Sequence, residues 1–256
     1  MPRRGKCGGD VARRLPRGCH DPGRRRFMTP KAVIFGGIGS LAECAELDRA
    51  AWNAAFRIHG VPWEWSWDTY AELMRPGGDR QLAARFADHL RVTVDAARLD
   101  ATHQRVFAAR LSGGIPLRPG VDGVLRWAAR AGLTLALVSR SEAAPVQALL
   151  KATARARGGI PFDMTVLRSD VERMAPDPQA MELALDELSL APEQAVAIVD
   201  TPVAAEAAET LGIPCLGFPG LLAAEGGFAE TLARASILSV ATVLEAWRGL
   251  PMAAAE

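Results

Sequence analysis

From Lys31 onward, short apolar runs alternate with longer amphipathic stretches. The runs are Ala32-Val33-Ile34-Phe35, Leu133-Thr134-Leu135-Ala136-Leu137-Val138, Met164 to Leu167, Ala195 to Val199 and Cys215 to Phe218. Each has the length of a strand and the near-continuous apolar character of one buried on both faces. Such strands, separated by helical sequence, predict a parallel sheet covered by helices on both sides.

The alternation is interrupted once. Between the first two runs, from about Glu43 to Gly114, the pattern is nearly all helical. Leu47, Ala51, Ala55 and Ile58 fall on one face of a helix that Gly60 should stop, and a second helical block is expected from about Arg80 to Arg110. An insertion at this point should lie over the carboxyl ends of the strands, where open α/β sheets bind ligands. The expected fold class is therefore α/β, a Rossmann-like doubly wound parallel sheet with an inserted α-helical cap domain. Residues 28–42 and 115–256 form the core and residues 43–114 the cap. Trp63, Trp65 and Trp67, in the loop between cap helices, are expected to pack the cap interior rather than stack on a ligand.

Residues 1–27 read differently. They hold nine of the chain's 30 Lys and Arg against Asp10 and Asp21, are rich in Gly and Pro, and show neither apolar periodicity nor a secretory h-region. This is expected to be a disordered basic tail, or sequence upstream of a translation start at Met28. The whole chain has a formal net charge of +1, so the remainder is acidic, and nucleic acid is expected as a partner only through the tail. Cys7, Cys19, Cys44 and Cys215 lack metal-ligand spacing, which points to a reduced, cytoplasmic protein. No run reaches the roughly 18 apolar residues of a membrane span.

The first strand runs into Phe35-Gly36-Gly37-Ile38-Gly39-Ser40-Leu41, which resembles F-D-x-D-G-T-L, the first motif of the haloacid-dehalogenase-like superfamily. The resemblance extends over almost everything after Met28. Trp63-Glu64-Trp65 with Tyr70, Leu73 and Gly77-Gly78, and the segment Ile115-Pro116-Leu117-Arg118-Pro119-Gly120-Val121, resemble the β-phosphoglucomutase-like branch. Within that branch they are most similar to the bacterial phosphatases found with Calvin-cycle genes, which act on xylulose bisphosphate.

The resemblance implies an attacking aspartate at Gly36 and a proton-transferring aspartate at Ile38. Glycine has no nucleophile and isoleucine cannot carry a proton, so both roles are missing from these positions; Gly37 and Gly39 read as turn residues and Ile38 as packing. Ser139 occupies the phosphate-binding place of the second motif, with Arg140 beside it, although Ser139 and Glu142 also have the spacing of a helix capping box. Ala175 stands in Ala175-Pro176-Asp177-Pro178 where the family has a lysine. Val199-Asp200 keeps one acid of the pair that holds magnesium, leaving Asp200 as the remaining metal candidate, although Asp200 also reads as a helix N-cap. In the cap, Gly77-Gly78-Asp79-Arg80-Gln81 replaces the branch's G-G-K-E-R, Asp48 stands in place of a histidine, and Glu43 holds the family's acid position after the first motif. Arg118 matches the branch and is expected to face the cleft. Candidate ligand-binding residues are thus Ser139, Arg140, Arg118, Glu43 and Asp48.

Two functional readings follow. In the first, the chain is a non-catalytic pseudoenzyme that binds a protein partner or a phosphorylated small molecule and needs no cofactor. In the second, it is a sugar-phosphate phosphatase with a rebuilt site, using magnesium and acids such as Glu43 or Asp48. Since the tail lacks apolar periodicity, truncation to Met28 is expected to leave the melting temperature unchanged; a large drop on thermal unfolding would place the tail in the fold.

Overall fold

The computed structural model describes residues 29–74, 82–157, 162–223, 227–230 and 232–249. The basic tail and the Gly77 to Gln81 loop lie outside the described residues. All five apolar runs form strands: β1 (Ala32–Gly36), β2 (Thr134–Val138), β3 (Met164–Val166), β4 (Ala195–Val199) and β5 (Cys215–Gly217). They pair in parallel in the order β3-β2-β1-β4-β5.

Side chains along a strand alternate between faces, so each strand serves two cores. Val33, Phe35, Leu135, Leu137, Val196 and Ile198 share one core with helices α5 (Val121–Arg130), α6 (Ala143–Arg157) and α9 (Val240–Arg248). Ile34, Ala136, Ala197 and Val199 share the other with α7 (Gln179–Glu187) and α8 (Pro202–Thr210). The sheet is thus doubly wound. Its order runs outward from β1 in both directions, which opens a crevice at the carboxyl ends of β1 and β4.

Four helices lie between β1 and β2: α1 (Ala45–Ile58), α2 (Trp67–Leu73), α3 (Leu82–Leu90) and α4 (Ala96–Ser112). Gly60 stops α1 in the left-handed region, at φ 66°, as expected. The expected apolar face is corrected at its ends, since Leu47 is half-buried and Ile58 is 59% exposed. Trp52 and Phe56, one turn apart and both buried, set the inward face instead. The block expected from Arg80 to Arg110 is two helices. Asp95 breaks it by capping α4, its Oδ1 accepting from the Arg98 N–H at 3.0 Å.

The cap closes on an aromatic cluster. Trp65 is fully buried, with ring centroids 5.2 Å from Trp52, 4.8 Å from Phe56 and 5.5 Å from Phe86. Trp63 packs on Phe56 and Phe86, and Trp67 on Tyr70. The Asn53 amide pairs with both backbone groups of Trp65, donating to its carbonyl at 3.0 Å and accepting from its N–H at 2.8 Å. This satisfies a buried loop that has no sheet to join. Helix α4 packs along both α1 and α6, tying cap to core. The two connections between cap and core also touch, through an antiparallel bridge between Ala42 and Leu117 and an Arg118 N–H bond to the Leu41 carbonyl at 2.8 Å.

No described helix is long and apolar enough to cross a membrane. Because Trp65 fills the cap interior, Trp65→Ala is expected to destabilise the protein by about 3–5 kcal/mol in denaturant unfolding; a loss under about 1 kcal/mol would mean that the cap repacks without it.

Candidate functional site

A cavity of about 460 Å³ lies between cap and sheet, at the carboxyl ends of the strands. Its floor includes Gly36 to Gly39, Ser139 to Glu142 and Asp200, and its roof includes Asp48, Trp52, His103 and Gln104 from α1 and α4.

The floor is shaped by what glycine leaves open. Gly36 pairs with Val199 across β1 and β4, and a Cβ at Gly36 would meet Val199 Cγ1 at 2.7 Å and Met181 Cε at 3.3 Å. Gly37 has φ 138°, a conformation that residues with a side chain rarely adopt, and a Cβ there would meet Asp200 Oδ1 at 2.6 Å. At Gly39 a Cβ would collide with Asp200 Oδ2. The Asp200 carboxylate is therefore folded against the loop that follows β1. Ile38 is buried in the core while also lining the cavity.

The expectation that Asp200 caps α8 is corrected. Thr201 holds the N-cap position, and Asp200 lies one residue before it with its carboxylate turned to the loop. Burial raises the Asp200 pKa from its ordinary value to about 6, against the lowering effects of its own backbone N–H, Arg118 and Arg140; Glu43 adds to the rise.

Ser139, at the end of β2, is 2% exposed. The capping-box reading with Glu142 is corrected as well. The helix begins at Ala143, and the Ser139 hydroxyl instead accepts from the Ser141 N–H at 3.2 Å within the turn that precedes it. Arg140 and Ala175 also line the cavity.

Arg118 does not line it. Its guanidinium donates to the carbonyls of Gly39 at 3.0 Å, Phe218 at 2.8 Å and Pro219 at 2.6 Å, and lies 3.5 Å over the Phe218 ring. The expectation that it faces the cleft gives way to a clamp joining the β1 loop to the end of β5.

On the cap side, Asp48 is held by two partners. Tyr70 donates its hydroxyl to Oδ2 at 2.5 Å, and His103 Nε2 lies 2.7 Å from Oδ1. The His103 ring stacks on Trp52 at 4.0 Å between centroids, and its Nδ1 is buried without a partner among the described residues. Burial and the nearby Asp48 carboxylate raise the Tyr70 pKa, so this phenol stays a donor. Glu43 accepts from the Leu221 N–H at 3.0 Å, linking the start of the cap to the loop after β5. Sequence reasoning missed His103 and the buried Arg168. The first gave no motif signal; the second could have been found from its place at the end of the β3 run.

A magnesium ion of the kind the family resemblance implies would need several oxygen ligands. The donor set at the ends of β1 and β4 does not fit this, since Gly36 and Ile38 supply none and Asp200 is the one carboxylate among the described residues that directly follows either strand. No group of three or more His, Cys, Asp or Glu among the described residues is arranged to hold a metal.

Residues 31–212 match the family model of the haloacid dehalogenase-like hydrolases. The protein CbbY of Cereibacter sphaeroides is 33% identical over 203 residues, spanning 78% of this chain and 88% of that protein. The validoxylamine A 7'-phosphate phosphatase of Streptomyces hygroscopicus subsp. limoneus is 27% identical, spanning 81% of this chain and 92% of its own. Among solved structures, an Asp-to-Asn mutant of CbbY from Rhodobacter sphaeroides, in complex with xylulose-(1,5)bisphosphate, superposes with a TM-score of 0.76 at 31% identity, covering 84% of this chain and 99% of that one.

The raised pKa of Asp200 carries a pH signature. The folded state holds this proton more tightly than the unfolded chain, so its contribution favours folding at low pH and is lost as pH rises from about 4 through about 6. Asp200→Asn, which stays neutral, is expected to gain thermal stability relative to the parent across that window. A stability difference between the two that is flat with pH would show that Asp200 does not titrate there.

Proposed function

Because this chain belongs to the haloacid dehalogenase-like hydrolases, we propose that its cleft receives a phosphorylated small molecule of the sugar-phosphate class and holds it without hydrolysing it by the family's aspartyl route. The observation that carries the second half is the Gly36–Val199 pair. The position at the end of β1 has no carboxylate, and the space a side chain would occupy there is taken by a valine methyl group. Phosphoryl transfer relies on a positioned nucleophile and on charge compensation, and Ala175 and Ile38 weaken the remaining parts of that machinery. The cavity volume and its position between cap and strand ends support the first half. Within it, Ser139 offers a buried hydroxyl beneath the cap.

The comparisons support a second reading, a sugar-phosphate phosphatase with a rebuilt site. One relative is named as a phosphatase, and the solved relative holds a sugar bisphosphate. Asp200, with its pKa near 6 and electrostatically coupled to Glu43, has the proton affinity of a general acid or base. On this reading Glu43, Asp48 and Asp200 would carry the chemistry.

The two readings are separated by titrating the full chain with sugar phosphates calorimetrically and assaying release of inorganic phosphate with added magnesium. The expected result is stoichiometric binding with no turnover above a no-enzyme control on xylulose bisphosphate, phosphoglycolate or an aryl phosphate. Magnesium-dependent turnover that disappears in a Glu43→Ala, Asp48→Ala, Asp200→Ala variant would establish the rebuilt site. Restoring Gly36→Asp and Ile38→Asp is expected to recover at most a trace, because the new side chain at position 36 runs into Val199.

A further inference from the structure

We infer that Arg168 is an oxyanion-binding residue of this cleft, the cation that meets the phosphoryl group of the ligand. The inference rests on the reading of the cleft as a phosphate-ester site and assigns the residue that grips the ester. Arg168 follows β3, opening the turn Arg168–Asp170. It is only 7% exposed, yet it lines the cavity together with Ser139 and Ser141.

Its guanidinium donates from one terminal nitrogen to the Val171 carbonyl at 3.0 Å and from the other to the Glu172 carbonyl at 3.3 Å. The Nε is buried with no acceptor among the described residues. No ion pair to Arg168 occurs among the described residues either. A guanidinium stays charged at any biological pH and has five N–H donors, so two carbonyl bonds leave both its charge and most of its donors unanswered. Burying a cation in that state is costly unless an anion joins it.

Arg118 provides the contrast within the same molecule. Its fork is taken up by three carbonyls, it lies on the Phe218 ring, and Glu43 and Asp200 act on it electrostatically. A purely structural clamp has that appearance. Holding residues 171 and 172 explains two bonds of Arg168 but neither its charge nor its idle Nε.

The neighbouring groups suit an anion. The Arg168 N–H donates to the Ser141 carbonyl at 3.4 Å, which couples Arg168 to the turn that begins at Ser139. The Ser139 oxygen already accepts from the Ser141 N–H, so its hydroxyl hydrogen can be donated outward. Arg140, on the same turn, lowers the proton affinity of Asp200 and thereby offsets that carboxylate of the floor. A phosphate monoester presents oxygens that a guanidinium meets with paired, charge-assisted bonds, and it can accept from Ser139 at the same time.

The test titrates inorganic phosphate, and separately glucose 6-phosphate, into the full chain by calorimetry, using the parent, Arg168→Gln and Arg168→Lys. Arg168→Gln is expected to weaken phosphate binding about tenfold or more, and Arg168→Lys to recover only part of that loss, since lysine restores the charge but not the paired bonds of the guanidinium fork. If Arg168→Gln fails to fold, the Nε–H resonance of Arg168 in the ¹⁵N-labelled parent, assigned by its absence from Arg168→Lys, is expected to shift on adding phosphate. Arg168→Gln binding phosphate as the parent does, or an Nε–H resonance that phosphate leaves in place, overturns the inference and leaves the proposed function standing. Arg168-dependent binding of inorganic phosphate without binding of the sugar phosphate overturns the proposed function alone. A parent that binds neither overturns both.

Discussion

Gly36 and Val199 face each other at paired positions of β1 and β4, and the floor of the cleft is organised around their contact. With no side chain on one strand, the valine on the other fills the gap, and the sheet stays packed up to its carboxyl end. The Asp200 carboxylate, next in the chain, then has one place to go, against the side-chain-free surface of Gly37 and Gly39. Three glycines, one valine and one aspartate therefore form a single arrangement in which no member can change size alone. Close-packed interiors behave this way, because a volume added at one site must be taken from another.

Charge in the cleft is set by the same geometry. Asp200 is pushed toward its neutral form by burial, and Asp48 is engaged by Tyr70 and His103. Glu43 is tied to the backbone at Leu221. These three acids are each held by a local partner or by desolvation. The two buried-side arginines divide similarly: Arg118 joins backbone segments, while Arg168 keeps a charge that its own loop does not answer.

The sheet was legible because strands covered on both faces must be apolar along their whole length, and β1 to β5 carry that signature without help from distant contacts. The cap was legible as helical and as inserted, but its helix boundaries were not. The break before α4 depends on Asp95 capping a new helix within a stretch that has neither Gly nor Pro, and the exposure of Ile58 depends on Trp52 and Phe56 claiming the inward face. Site residues were legible as positions rather than as contacts. Ser139 and Asp200 were located at the ends of the right strands, yet neither takes the helix-capping role foreseen for it. Where Arg118 points is decided by carbonyls about a hundred residues away in sequence, a relation that no local pattern encodes.

The position of β1 also governs how the molecule comes together. Ala32 pairs with Thr134 on one side and with Ala195 on the other, so β1 does not find both neighbours until β4 has been made. The cap is complete well before then, since its helices and its aromatic cluster draw on a contiguous stretch of chain. During synthesis, therefore, the cap stands as a finished local unit while Ala32-Val33-Ile34-Phe35 waits as an unpaired apolar segment. Non-local pairing of this kind is slow and leaves strand edges open to wrong partners. The sequence that makes the centre of the sheet secure in the finished protein is thus exposed on the ribosome until β2 and β4 arrive.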